Sequence, residues 1–500
     1  MLCKRLLPLT LAATIAVIPL YTQRPVAAKA ANAIPGQPDN ADVIVSAKPQ
    51  FDRAGAIIPK SFLGISMEYG ISIFTFFSGP RLAITARLIN RLGRLQGPPV
   101  LRIGGSSEDC AAWHLPALHP RPPGYTISLT SQTAMMLHAA EVQTHSKLIL
   151  GVNFARSTPA MVKPWIQSAI KHIGASHILA FEIGNEPDSY RFNGLRARSY
   201  TLQDYLRQWK AFTTPLNVVL PPRRMLAGPA FCTGWRKYTP EFIKQEHRRL
   251  AVVTMHEYPL GVPIKNRRSP RYADIANLLK NSSSTVFAQL IRSSVAAGRE
   301  YNIPVRFGEI NSAYGGGKAG VSNAFAASLW SLDTLFEVAS TGSAGVNFHT
   351  GPRYGAFWSF HPNAVRVLPL YYGMLMFAQA APPDSRLIPM RFHSGANINI
   401  WMTLDQHQMA RIVLINKDLH RNVTVELNLP DSSHATLERM TARSITSQNH
   451  ITIGGLTFNG SKNGRPKGQQ HLAVERAKAG IYTIALEHGS AALLAVQLDH

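Results

Sequence analysis

The sequence predicts an α/β chain: a (β/α)8 barrel of the TIM type, followed by a C-terminal β-sandwich domain that an N-terminal strand joins. Three observations predict it. Eight short apolar runs alternate with amphipathic stretches between Phe62 and Ala380, the pattern of parallel β/α units. Two of those runs end in a glutamate close behind a glycine, at Glu186 and Glu309. Beyond Ala381 the helical periods stop and short alternating runs separated by Gly, Asn and Pro take over, which is the pattern of a sandwich.

The predicted barrel strands are Phe62–Ser66, Val100–Ile103, Leu148–Val152, Ile178–Ile183, Arg224–Ala227, Val252–His256, Val305–Gly308 and Gly345–Phe348. Between and after them, Leu82–Leu95, Gln132–Thr144, Met161–Ile173, Leu202–Phe212, Phe287–Arg299, Phe325–Val338 and Leu368–Ala380 carry apolar residues at helical spacing. The sandwich strands are expected at Ile398–Thr403, Arg411–Ile415, Val423–Leu427, Thr436–Met440, Ile451–Ile453, Ile481–Leu486 and Ala492–Val496, with Val43–Val45 as the strand contributed from the N-terminal side. The expected divisions are residues 1–30 as a signal peptide, 31–61 as linker and first strand, 62–380 as the barrel and 381–500 as the sandwich.

The signal reading rests on Lys4 and Arg5 before an apolar run from Leu6 to Leu20, then Ala28-Lys29-Ala30 as a small-residue cleavage pattern. That run is shorter than the roughly 20 residues a membrane span needs, so a secreted or periplasmic protein without stable membrane insertion is expected. A content of 45% apolar and 16% charged residues suits a well-cored globular chain and excludes a disordered one. Removal of residues 1–30 takes away Lys4, Arg5, Arg24 and Lys29 and no acids, lowering the formal charge from +24 to +20. Basic residues concentrate only at Lys265 to Arg271 and at His247-Arg248-Arg249. Charge alone suggests a polyanion, but no nucleic-acid motif accompanies it. Cys110 and Cys232 are candidates for one disulfide or for two free thiols, and neither has metal-ligand spacing. No cofactor and no metal are called for.

The chemistry centres on Phe181-Glu182-Ile183-Gly184-Asn185-Glu186-Pro187-Asp188. An apolar strand is stopped by Gly184 and Pro187, leaving Asn185 and Glu186 at its carboxyl end, where barrel enzymes keep their catalytic groups. Val305 to Ser312 repeats the arrangement with Gly308-Glu309, 123 residues later. Two carboxylates facing across a barrel mouth are the apparatus of glycoside hydrolysis. Around them, His256 and Tyr258 end the sixth run, His349 ends the eighth, Glu68 follows the first and Asn153 the third. Glu68 and Asn153 are candidate contacts for sugar hydroxyls or, equally, a rim charge and a turn-forming Asn. Tyr354 and Trp358 are pocket walls or loop packing. Arg102-Ile103-Gly104-Gly105-Ser106 is not a phosphate loop, because no Gly-Lys-Ser/Thr follows; its glycines are expected to let the backbone approach the site.

The Asn-Glu-Pro segment and Gly308-Glu-Ile-Asn-Ser-Ala-Tyr-Gly-Gly-Gly317 resemble the motifs of glycoside hydrolase family 79, the β-glucuronidases and heparanases. The resemblance implies a retaining enzyme with Glu186 as acid/base and Glu309 as nucleophile. It implies Asn185 at the sugar 2-hydroxyl, Tyr258 as hydrogen-bond partner of the nucleophile and His349 as a sugar contact, with Tyr314 and Gly316 reading the uronate carboxylate. It further implies an exo-acting β-glucuronidase whose partner is a glucuronic-acid-containing glycan or glycoside. Heparanases carry an aspartate where Met67-Glu68-Tyr69 stands, and Asn153-Phe154-Ala155-Arg156 lacks a lysine pair for sulfate, which weighs against endo-cleavage of heparan sulfate. The alternatives are an endo-β-glucuronidase, a related hydrolase of neutral sugars and, outside enzymes, a carbohydrate-binding protein.

Overall fold

The computed structural model describes residues 43–115, 122–350, 357–361, 364–429 and 434–498. The expected signal segment, the linker from Ala31 to Asn40 and Tyr354 lie outside the described residues.

Eight strands close a barrel: Leu63–Glu68, Val100–Gly104, Leu148–Val152, Ile178–Ile183, Leu226–Phe231, Leu250–Glu257, Val305–Ile310 and Gly345–Thr350. They follow one another around the barrel in sequence order, and every neighbouring pair is parallel. Helices cover their outer faces, which explains why the strands are buried throughout and read as continuous apolar runs. Several helices start at caps written into the sequence. Thr130 and Thr201 form capping boxes with Thr133 and Asp204, and the Thr158 hydroxyl accepts from the Met161 N–H, satisfying N–H groups that a helix cannot bond internally. The fifth strand begins later than expected and runs on through Gly228-Pro229, with register shifts on both sides of the proline. A proline cannot donate to the ladder, so it is accommodated at such irregularities.

Beyond the helix Pro369–Ala380, two sheets pack face to face. Val43–Pro49 lies in the smaller one, parallel to Val423–Asn428 and antiparallel to Met390–Phe392. Its alternating pattern turns Val45 and Ala47 into a core shared with Ile412 and Leu414 of the larger sheet. The sandwich is therefore closed by a strand from the other side of the barrel, as the sequence predicts.

Barrel and sandwich meet at a buried ion pair. Asp333, on the helix Ala326–Ala339, receives Lys417 Nζ at 2.6 Å, Trp401 Nε1 at 3.0 Å and Ser284 Oγ at 2.6 Å. Neither Asp333 nor Lys417 is more than 1% exposed in its side chain. Among the described residues no helix is long and apolar enough to cross a membrane.

Candidate active site

The fourth strand ends at Ile183, and Gly184, at φ 83°, turns the chain out of the sheet. A Cβ there would meet Phe154 and the Tyr190 hydroxyl at 2.9 Å, so the turn needs glycine. Glu186 follows in the left-handed region, at φ 51° and ψ 52°, uncommon for a residue with a side chain and typical of a position fixed by its surroundings. The surroundings are identifiable. Pro187 opens a short 3-10 turn, Ser189 returns two hydrogen bonds to the Glu186 carbonyl, and the Asp188 carboxylate accepts the N–H groups of Cys232 and Thr233 beyond the fifth strand.

Glu309 lies within the seventh strand, which extends to Ile310 and not to Gly308 as expected. The register slips on both flanks between Phe307 and the residues after it, and a bulge of this kind re-aims the side chain that follows. One carboxylate oxygen each of Glu186 and Glu309, with a ring nitrogen of His256, lie within 4.8 Å of one another.

Glu309 is held on both oxygens. Tyr258 donates its hydroxyl to Oε1 at 2.7 Å, and Arg102 donates from Nη1 to Oε2 at 2.6 Å. His349 Nδ1 is 3.5 Å from Oε2 and also 3.0 Å from the Ser66 hydroxyl. Burial by itself raises the carboxyl, but His349, His256, Arg102 and the Tyr258 hydroxyl outweigh it and hold Glu309 well below the usual carboxylate range. Arg102 is charged at every accessible pH and so supplies a permanent positive charge beside Glu309. Tyr258 is pushed up, first by burial and then by the Glu309 charge, and stays a donor.

Arg102 is the hub. It is fully buried and also donates from Nε to Glu182 at 2.6 Å and from Nη2 to Asn185 Oδ1 at 2.9 Å. Because a guanidinium only donates, this contact fixes which end of the Asn185 amide faces it and leaves the amide N–H groups as donors for a ligand. Glu108 lies below, 3.8 Å from Arg102. Burial, opposed by Arg102, pushes its carboxyl well above the usual carboxylate range. A Cβ on Gly104 or Gly151 would sit 2.2 or 1.9 Å from the Glu108 carboxylate, and one on Gly105 would sit 2.6 Å from that of Glu68. The Gly104-Gly105 pair thus lets the backbone approach the site closely enough to leave room for two protein carboxyls.

His256 is fully buried, with Nδ1 3.1 Å from Glu186 Oε1. Glu68 accepts the Ser107 N–H at 2.8 Å and faces His349 Nε2 at 3.7 Å, at the rim. Tyr314 is partly buried, and Gly315, Gly316 and Gly317 all have positive φ, at 88°, 91° and 77°. Asn153 braces a loop instead of facing the mouth. Its amide donates to the Ala111 carbonyl and accepts the Arg156 N–H, and it is 4% exposed. Trp358 is core packing, 1% exposed among Phe76, Phe357 and Tyr371. Cys232 has a free thiol, so the candidate bridge to Cys110 is absent.

Glu186, His256 and Glu309 are close enough to share a metal ion. The donor set argues against one, since Tyr258 and Arg102 already occupy both oxygens of Glu309 and Arg102 adds a positive charge beside them. Sequence reasoning missed Arg102, Glu182 and Glu108 as members of the site. The available signal was a charged residue inside an otherwise apolar strand, as in Leu101-Arg102-Ile103 and Phe181-Glu182-Ile183, since such residues are seldom buried without partners.

A closed parallel barrel with two near glutamates at its carboxyl mouth has the layout of a (β/α)8 glycoside hydrolase. Comparison with known proteins narrows the class. The family model for the glycosyl hydrolase family 79 N-terminal domain matches residues 162–336, which include both glutamates, and that for the family 79 C-terminal beta domain matches residues 400–493. The chain belongs to glycoside hydrolase family 79. A β-glucuronidase of Aspergillus niger is 23% identical over 89% of this chain and 92% of its own, and one of Neurospora crassa is 25% identical over 65% and 64%. Among solved structures, a 4-O-α-L-rhamnosyl-β-D-glucuronidase of Fusarium oxysporum superposes with a TM-score of 0.71 at 20% identity, covering 91% of this chain and all of the other. A family 51 arabinofuranosidase of Xanthomonas axonopodis pv. citri gives 0.67 at 14% identity, covering 91% and 100%.

Proposed function

We propose that this chain is a retaining, exo-acting β-glucuronidase that releases glucuronic acid from glycans or glycosides. The observation that carries the retaining mechanism is the approach of Glu186 and Glu309 to within 4.8 Å, oxygen to oxygen. Separations of about 5–5.5 Å belong to double displacement, whereas inversion needs roughly 6.5–9.5 Å to admit a water.

In this reading Glu309 attacks C1, and Glu186 first donates a proton to the leaving oxygen and then takes one from water. The opposed environments support the division: Glu309 is ringed by Arg102, Tyr258 and His349, while Glu186 has the histidine His256 as its side-chain partner and is the more exposed of the two, at 24% against 10%. Asn185, anchored by Arg102, offers amide donors to the 2-hydroxyl, and His349 and Glu68 line the sugar site. Tyr314 and Gly316 read the carboxylate. The two β-glucuronidase relatives support the glucuronide as substrate. The basic and then apolar run from Lys4 to Leu20 supports a secreted or periplasmic location.

The test is hydrolysis of an aryl β-glucuronide by the wild type, Glu186→Ala and Glu309→Ala, with aryl glucoside and xyloside alongside. Both variants are expected to lose activity, and azide is expected to rescue Glu309→Ala with an inverted glycosyl azide. Full turnover by either variant, or a preference for the neutral sugars, overturns the proposal.

A further inference from the structure

We propose that Arg271 supplies the positive charge by which this site selects a carboxylate over a neutral sugar substituent. The inference deepens the functional reading above and rests on it. Tyr314 and the glycine loop offer an anion neutral donors, and a cation beside them adds a charge that a neutral substituent cannot use. The loop after the sixth strand provides one. Leu260–Gly261 pairs in parallel with Ala313–Tyr314, and the Val262 N–H donates to the Tyr314 carbonyl at 3.1 Å. A Cβ on Gly261 would lie 2.3 Å from the Tyr314 ring, so the two loops pack here through a glycine. The Gly261 N–H in turn donates to the Arg271 carbonyl at 2.9 Å.

The Arg271 guanidinium is thereby set between two site residues, donating to the Tyr258 carbonyl at 2.7 Å and lying 5.8 Å from the centre of the Tyr314 ring. A charge count shows that it is in surplus. Among the described residues its one acidic partner is Glu257, at 3.5 Å, and the same carboxylate already holds Arg236 at 2.7 Å. Two guanidiniums face one carboxylate, and the less tightly bound of them has half its side chain exposed, 51%. Lys265, Arg267 and Arg268 on the same loop are exposed and extend the positive field outward. Such a field raises the local concentration of an anionic substrate, and a charge-assisted hydrogen bond to a planar carboxylate suits a guanidinium.

The test compares an aryl β-glucuronide with its uncharged methyl ester on wild type, Arg271→Ala and Arg271→Lys, at low and high salt. Arg248→Ser, which removes an exposed cation at the opposite end of the barrel, controls for net charge. Arg271→Ala is expected to lower kcat/KM for the charged substrate about 10- to 100-fold, the scale of one charged hydrogen bond, mainly through KM. The ester should change little, Arg271→Lys should restore part of the loss, and the salt dependence should shrink. An equal fall for both substrates would mean that Arg271 merely positions Tyr258 and would overturn the inference, as would an unchanged ratio or the same effect in Arg248→Ser. If the wild type cleaves neither compound, the functional reading itself fails and this one falls with it.

Discussion

Arg102 Nη1 lies 2.6 Å from Glu309 Oε2, although 207 residues separate them in the chain. The contact joins the second barrel strand to the seventh through the interior, and the same guanidinium holds Glu182 and Asn185. One buried cation therefore positions residues from the second, fourth and seventh strands together.

Substituting Arg102→Met should consequently damage folding as well as activity. It leaves Glu182 buried without its cation and Glu309 with Tyr258 and His349 in place of three partners, and breaking such a buried pair costs about 3–5 kcal/mol. Urea denaturation should show that loss, and Arg102→Lys, with charge but no fork, should fall between the two.

Tyr258→Phe separates positioning from folding. The variant loses the 2.7 Å hydrogen bond to Glu309, a charged hydrogen bond whose removal should lower kcat/KM about 10- to 100-fold. Because Glu309 is held below its ordinary 4.5 and the proposed nucleophile must be ionised, activity should fall only as pH drops beneath that value. In Tyr258→Phe the acid limb of the kcat/KM profile should move upward. A wild-type acid limb that is due to Glu309 but centred near pH 6 would contradict the hydrogen-bonding scheme.

Asp109 should tilt stability toward acid. Burial pushes its carboxyl from 3.8 to about 7, although the Tyr190 hydroxyl and the N–H groups of Asn185 and Ala155 work against the rise. Between those values the folded chain binds a proton that the unfolded chain does not, so stability falls as pH rises through the window and levels off above it. The loss should be on the order of 4 kcal/mol. Asp109→Asn, neutral at every pH, should flatten thermal-melt profiles between pH 4 and 8 and gain on the wild type at pH 8.

Lys417→Met tests the latch between barrel and sandwich. The variant leaves Asp333 fully buried without its cation, and about 3–5 kcal/mol of stability should go with it. The double variant Lys417→Met/Asp333→Leu should recover much of that loss, which calorimetry can read.

Local pattern was enough to locate the strands, because apolar runs bounded by glycine and proline depend on neighbours in the chain. It also marked Glu186, Glu309 and Tyr258, each a polar residue where an apolar strand stops. Trp358 is ambiguous for the opposite reason: an aromatic residue just past a barrel strand packs against either a ligand or the core, and its neighbours Phe76 and Tyr371 decide. Asn153 likewise shows no sequence sign that the Ala111 carbonyl takes up its amide.

The barrel, the sandwich closed by Val43–Pro49 and the two glutamate-bearing strand ends are legible in the residue pattern, since periodicity and turn residues act within a few positions. It took the folded chain to bring Arg102 to Glu309, to bury Glu108 beside that arginine and to set both Arg236 and Arg271 against Glu257. Those relations depend on which charges meet out of water, and charge pairing in a low-dielectric interior is set by distance in space, to which distance along the chain gives no guide.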